Sequence, residues 1–374
     1  MPIGGISLAI LIFFLKIESA KTPFIAGLRS IDWTGSALIT GGTLMFLFGL
    51  EFGGVNYPWA SVTVICLIVF GLVTWVLAML NEWKLAKYPI IPPRIFNNIH
   101  NAVVIMICFF HGFVFIAGSY FLPLYFQTVL LATPILSGVY VLPQVVALSA
   151  TSASTGFLMK KTGRYWEFIL FGMIFMTLGF GLLIDLKPYA SWPRLIIYQA
   201  IAGAGVGPLF QSPLVALQAN VHYSDMATAT ATFGFMRQLS AAISVVLGTV
   251  IYQNVLGQRL HAAESVLGSK TVSTIADTFS VSSKRLIANL PKPQRNIVLE
   301  AFTFTFSHMW IFYVCMSALG LLLCYFLKPV TMSKEHTVRK TGLAEQERAR
   351  QEILAAQRQQ TTLEVDEEVG TETR

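Results

Sequence analysis

The sequence predicts an all-α polytopic membrane protein, and three observations carry that prediction. The 374-residue chain is 55% hydrophobic but only 12% charged, where soluble domains carry about 25% charge. Its apolar residues fall in long blocks close to the length a bilayer demands, about 20 residues for a helical span. Lys and Arg gather in every second connection between the blocks, the asymmetry that orients membrane helices. The net charge of +7 therefore reads as a topology signal and not as a nucleic-acid footprint.

Taken in order, nine spans are predicted, at roughly 3–15, 34–50, 60–80, 102–126, 134–155, 167–184, 193–216, 227–252 and 304–327. The first is short for a bilayer and begins almost at Met1, so it reads as the remainder of a longer span and not as a cleaved leader. Asp32 precedes the second span, where a carboxylate suits a helix start. Lys16, Lys21 and Arg29 follow the first span, Lys84, Lys87 and Arg94 the third, and Lys160, Lys161 and Arg164 the fifth. The opposite connections 51–59 and 127–133 hold neither Lys nor Arg. The basic side is expected in the cytoplasm, with the amino terminus outside and the carboxyl terminus inside. The sharpest of the turns is GFLMKKTGR at Gly156–Arg164, read as a short hinge between two spans. Residues 253–303 are expected to form a long extracellular loop, with amphipathic segments at 253–267 and 280–290 that could lie on the membrane surface. The polar tail 329–374 is expected to be a cytoplasmic extension.

Polar residues inside apolar blocks are the candidate functional groups, because each costs free energy unless it meets a partner or a cavity. Arg237 lies about 15 Å into its helix. It reads either as a residue facing the bundle interior or as one that snorkels or caps an inter-helix bond. Gln199, Gly203, Gly207 and Gln211 recur at helical spacing, and Gly203, Gly205, Gly207 and Pro208 suit close packing or a bend. Tyr120, Tyr125, Gln127 and Gln144 could line a path for an amphipathic solute, or form an interfacial aromatic belt. His111 and Glu51 are the residues that could carry a proton, against the plainer readings of a packed histidine and a boundary carboxylate. No buried Asp or Glu is expected in the spans. Gly234, Ala241, Ser244 and Gly248 form a small-residue stripe suited to helix packing. The cysteines Cys66, Cys108, Cys315 and Cys324 have no metal-ligand or disulfide spacing. A nucleotide loop, an HExxH pair and a Ser-His-Asp context are all missing from the sequence, so neither an enzyme nor an ATP-driven pump is expected, and no cofactor or metal.

Several segments resemble the major facilitator superfamily, in particular its fungal fourteen-span drug:proton antiporters, the mycotoxin and multidrug efflux pumps. GFLMKKTGR resembles the superfamily's cytoplasmic loop motif Gly-x-Leu-x-Asp-Arg-x-Gly-Arg. Gly156, Leu158, Gly163 and Arg164 match it, Lys161 takes the basic position, and Lys160 replaces the Asp. MPIGG at Met1–Gly5, DWTG at Asp32–Gly35, YFLPLYFQ at Tyr120–Gln127 and SGVYVLP at Ser137–Pro143 are similar to further family segments. So are GAGVGPLFQSP at Gly203–Pro213 and ATATATFGFMRQL at Ala227–Leu239. The resemblance implies that the nine spans are the sixth to fourteenth of fourteen, with the first five lacking. Residues 1–16 would then be the last span of an amino-terminal bundle, 17–101 a linker pair, and 102–328 the carboxyl-terminal six-helix bundle. It implies proton-coupled efflux of a drug, toxin or secondary metabolite by alternating access, with a small amphipathic organic solute, protons and the lipid bilayer as partners. A siderophore-type importer, or a truncated membrane protein without transport of its own, are the alternatives. The plasma membrane is the first expectation for location and the vacuolar membrane the second.

Overall fold

The computed structural model describes residues 31–54, 57–86, 90–91, 95–222, 225–276 and 287–327, together with Gly5 and Ile25. The first predicted span and the tail 329–374 lie outside the described residues. Everything below belongs to one compact unit, Trp33–Ser333.

Its described residues are helical almost throughout. Helices α1 (Trp33–Phe52) and α2 (Val62–Lys84) form a hairpin. Gly42, Gly49 and Gly71 let their backbones meet, since a Cβ on Gly71 would lie 2.7 Å from the Phe46 nitrogen. Then come α3 (Ile99–Thr128), α4 (Pro134–Tyr140), α5 (Leu142–Thr162), α6 (Trp166–Leu182), α7 (Trp192–Val206), α8 (Ser212–Ala219) and α9 (Met226–Ala262). Short helices α10 (Glu264–Leu267) and α11 (Ser269–Ala276) lead toward α12 (Lys292–Leu323). Seven helical segments among the described residues are long and apolar enough to cross a membrane, or eight when the bent pair α4–α5 counts as one. These coincide with the second to ninth predicted spans.

Helix α3 is the central post. It is buried along most of its length and packs on α9 and α12, while α7 lies between α5 and α6. The outer faces stay apolar and exposed, for example Val69, Phe70, Val76, Phe171, Ile197 and Leu319, as expected of helices whose solvent is lipid.

Three expectations need correction. The turn at Gly156–Arg164 is mostly helix, because α5 runs on to Thr162. Lys160 and Lys161 occupy its last turn, where cations favour the negative end of the helix dipole. Only Gly163, in the left-handed conformation at φ 72°, ends it. The supposed loop 253–303 is helical at both ends. Helix α9 is about 55 Å long, well beyond a hydrocarbon core of about 30 Å. Tyr252, Leu256 and Leu260 keep one buried stripe through its last turns, within the same apolar core as Val298 and Phe302 at the start of α12. Residues 253–262 therefore continue the span's helix, and its apolar face is covered by protein. Lastly, one span expected to be continuous is bent, and at Gly207–Pro208 the helix is interrupted, one of the two readings open there. Pro143 has no N–H for the preceding turn, and α4 meets α5 at 43°. The 192–219 span breaks between Val206 and Ser212, around Gly207 and Pro208.

Candidate functional site

The second break places polar groups at mid-span. In a continuous helix backbone carbonyls are spent on the next turn; at the 206–212 interruption those of Gly207, Pro208 and Gln211 still accept from N–H groups three or four residues on, but that of Phe210 is left for another donor. The Phe210 carbonyl accepts a hydrogen bond from Arg237 Nη2 at 3.2 Å. Arg237 sits on α9 about 16 Å from the start of that helix. Its guanidinium also lies over the Phe233 ring at 4.9 Å and the Phe210 ring at 5.2 Å, the geometry of cation–π attraction. Among the described residues no carboxylate pairs with it, and its Nε is enclosed without an acceptor. Gln211 stands exposed beside the break, with Oε1 turned toward Gly156 on α5.

A glycine contact brings α3 to this point. A Cβ on Gly112 would lie 2.5 Å from Ser240 Oγ and 3.1 Å from the Arg237 carbonyl oxygen. Helices α3 and α9 therefore touch at Gly112, and the preceding residue, His111, is held beside Arg237. His111 is fully buried, with Phe210 edge-on at 5.0 Å and Phe115 at 6.1 Å. Neither ring nitrogen makes a hydrogen bond of good geometry, although the Val206 backbone faces the ring. A proton on His111 would add a second positive charge next to Arg237 in apolar surroundings, a costly arrangement. Cys108, one turn earlier, meets the Phe233 carbonyl at 3.6 Å.

The structure therefore gathers His111, Gln211 and Arg237 around one broken span and puts the other candidates elsewhere. Gln144 and Gln199 are both buried with their carbonyl oxygens unpartnered, and Gln199 Nε2 donates to the Leu195 carbonyl. Tyr125 is fully buried near the far end of α3, donating its hydroxyl to the Lys187 carbonyl at 2.6 Å. Gln127 donates to Ser137 Oγ, and Tyr120 is exposed. Tyr125 and Gln127 thus tie connections down, and Tyr125 also lines a small pocket with Asp185, Lys187 and Arg194. Glu51 is exposed in the last turn of α1, and no described hydrogen bond or ion pair joins it to His111.

At the loop motif, Leu158, Lys160, Lys161 and Arg164 are exposed, and Arg164 pairs with Glu167 at 3.0 Å. The next residue, Tyr165, is wholly buried; burial raises its pKa, so the phenol stays protonated. Asn220 Nδ2 donates to Tyr165 Oη at 3.3 Å, and His100 Nε2 lies 3.5 Å from the same oxygen. Tyr165, two residues past Gly163, thus anchors the end of α5 to α3 and to Asn220 just after α8.

Two groups escaped the sequence reading. Glu82 is buried at the end of α2, where Oε2 accepts from the Ile91 N–H at 3.2 Å. This corrects the expectation that the spans hold no buried acid; the reading ended the span at residue 80, just short of it. Phe210 and Phe233 look like two among many core phenylalanines in the sequence. Only their contacts with Arg237 single them out. Of the small-residue stripe on α9, Ser244 and Gly248 pack tightly, Ser244 Oγ donating to the Phe113 carbonyl at 2.6 Å. Gly234 faces open space.

Comparison with known proteins finds relatives over most of the chain. Residues 12–137, which take in α1 to α3, match the family model of the fungal trichothecene efflux pump. An MFS-type transporter, ppz2, of Metarhizium majus is 44% identical over 359 residues, 96% of this chain and 62% of that protein. The efflux pump dotC of Dothistroma septosporum is 47% identical over 349 residues, 93% of this chain and 60% of its own length. An MFS-type transporter of Aspergillus terreus is 38% identical over 95% of this chain and 65% of its own length. The all-α polytopic architecture fits the fold of these major facilitator superfamily relatives. The chain is a multi-pass membrane protein that spans about 60% of the length of the first two relatives. Helices α3 to α12 form the helical bundle that holds the Arg237 site, and α1 and α2 pack together as a hairpin.

Proposed function

We propose that this chain works as a transmembrane transporter of the efflux class, moving a small amphipathic organic solute by alternating access. The carrying observation is the discontinuous 192–219 span, whose freed Phe210 carbonyl meets Arg237 midway through the bundle. Transporters build solute and ion sites at such interruptions near the bilayer midplane. Similarity to proteins named as efflux pumps and MFS-type transporters, over more than nine-tenths of the chain, supports the direction of transport. The relatives' greater length supports the finer reading that the working transporter has further spans, fourteen in all, with these as the sixth onward. Exchange for protons completes the proposal, and the basic turn at Lys160–Arg164 is placed in the cytoplasm by the positive-inside rule.

The test is export from cells. A strain lacking the gene is compared with one expressing it, and a panel of aromatic acids, neutral aromatics and organic cations is followed in cells and medium. Faster loss of at least one class in the expressing strain, abolished by a protonophore, is the expected result. Identical retention of every class would overturn the proposal.

A further inference from the structure

We infer that the Arg237 site selects solutes carrying an anion on an aromatic frame: a carboxylate or an acidic phenolate. The inference rests on the transporter reading above and narrows its substrate class. A guanidinium inside a membrane bundle needs a counter-charge or a full set of acceptors. Arg237 has neither. Among the described residues one carbonyl accepts from it, the Cys108 thiol, a weak neutral partner, lies within its reach, two ring faces lie against it, and its Nε has no acceptor. The side chain is only half-buried, and Gln211 beside it is exposed, so the site is open toward solute. His111 adds a second unsatisfied group: it is wholly enclosed, in edge contact with Phe210 and without a well-formed hydrogen bond.

Chemistry then sorts the candidates. A carboxylate takes parallel hydrogen bonds from a guanidinium and supplies the lacking negative charge. A neutral aromatic gains only the faces of Phe115, Phe210 and Phe233. An organic cation meets Arg237 with like charge in a low-dielectric setting, with no described carboxylate to offset it. The expected order is anion above neutral above cation, and the guanidinium sets it.

The purified chain in neutral-lipid nanodiscs is dialysed against 1-naphthoate, 1-naphthamide and 1-naphthylmethylammonium, with empty nanodiscs subtracted. Wild type is expected to bind the acid about 10-fold tighter than the amide, the scale of a charge-assisted hydrogen bond, and the ammonium most weakly. Arg237→Gln is expected to bring the acid down to the amide, while Arg237→Lys keeps part of the preference. If Arg237→Gln fails to fold, the ranking in wild type and in Arg237→Lys decides. Equal binding of acid and amide by wild type, or a preference that survives in folded Arg237→Gln, overturns the inference and leaves the transporter reading standing. Binding of none of the probes by wild type also overturns it, and the export assay then settles the wider reading.

Discussion

Replacing Gly205 by alanine separates packing from composition. A Cβ there would point into the α6 backbone, against the Met176 nitrogen, 2.5 Å from the Phe175 carbonyl carbon and 2.6 Å from Met176 Cα. Carbon atoms pack at about 3.5–4.0 Å, so α6 and α7 must part by about 1 Å. No side-chain rotation relieves the clash, because every atom met is main chain. Gly172 faces the Gly205 carbonyl at 2.9 Å and Gly179 faces Ala202, so the whole seam opens. A gap of that size forfeits roughly a quarter to a half of each contact's attraction, and over-packing costs about 1–3 kcal/mol. Gly234→Ala makes the same chemical change on α9, where nothing lies within 4 Å, and helix propensity favours it by up to about 1 kcal/mol. The two variants should differ by about 1–4 kcal/mol, or roughly 2–10 °C in Tm. Thermal unfolding in detergent, followed by tryptophan fluorescence, measures the difference. Equal melting of Gly205→Ala and Gly234→Ala would refute the α6–α7 seam.

Tyr125→Phe removes the 2.6 Å hydrogen bond to the Lys187 carbonyl and is expected to cost about 0.5–1.5 kcal/mol; the same melt reads it. Glu82→Ala leaves the Ile91 N–H without its carboxylate acceptor, at about 1.5–3 kcal/mol for a bond to a charged group. Faster limited proteolysis between residues 85 and 98 should follow, and an unchanged cleavage rate would count against that anchoring. Thr162→Cys, in a background with Cys66, Cys108, Cys315 and Cys324 replaced, should resist a membrane-impermeant maleimide in intact cells and react after permeabilisation. Labelling from outside would reverse the orientation.

How much of this was legible in the sequence differs from feature to feature, for one reason. Burial in lipid is a local demand. Each span must be apolar and long enough, whatever its neighbours do. The second to ninth spans could therefore be placed from composition alone. The glycines at 203, 205 and 207 were equally readable, because close approach of backbones excludes every other residue. Arg237 stood out as a charge where charge is costly.

The partner of each polar group is a different kind of fact. It depends on residues distant in the chain. Nothing near Arg237 in sequence points to the Phe210 carbonyl, which becomes available only because the 192–219 span is interrupted between Val206 and Ser212. Glu82 lay just past an apolar run and looked like a boundary charge until the chain folded back to bring Ile91 against it. The same holds for the ends of α9 and α12. Their outer turns carry enough polar residues to pass for a loop, and helicity survives there because Tyr252, Leu256 and Leu260 share an apolar core with Val298 and Phe302. Hydropathy and charge along the chain thus dictated a helical bundle across a bilayer. Packing between helices decided which of its polar groups meet, because only contact can satisfy a hydrogen bond where water is excluded.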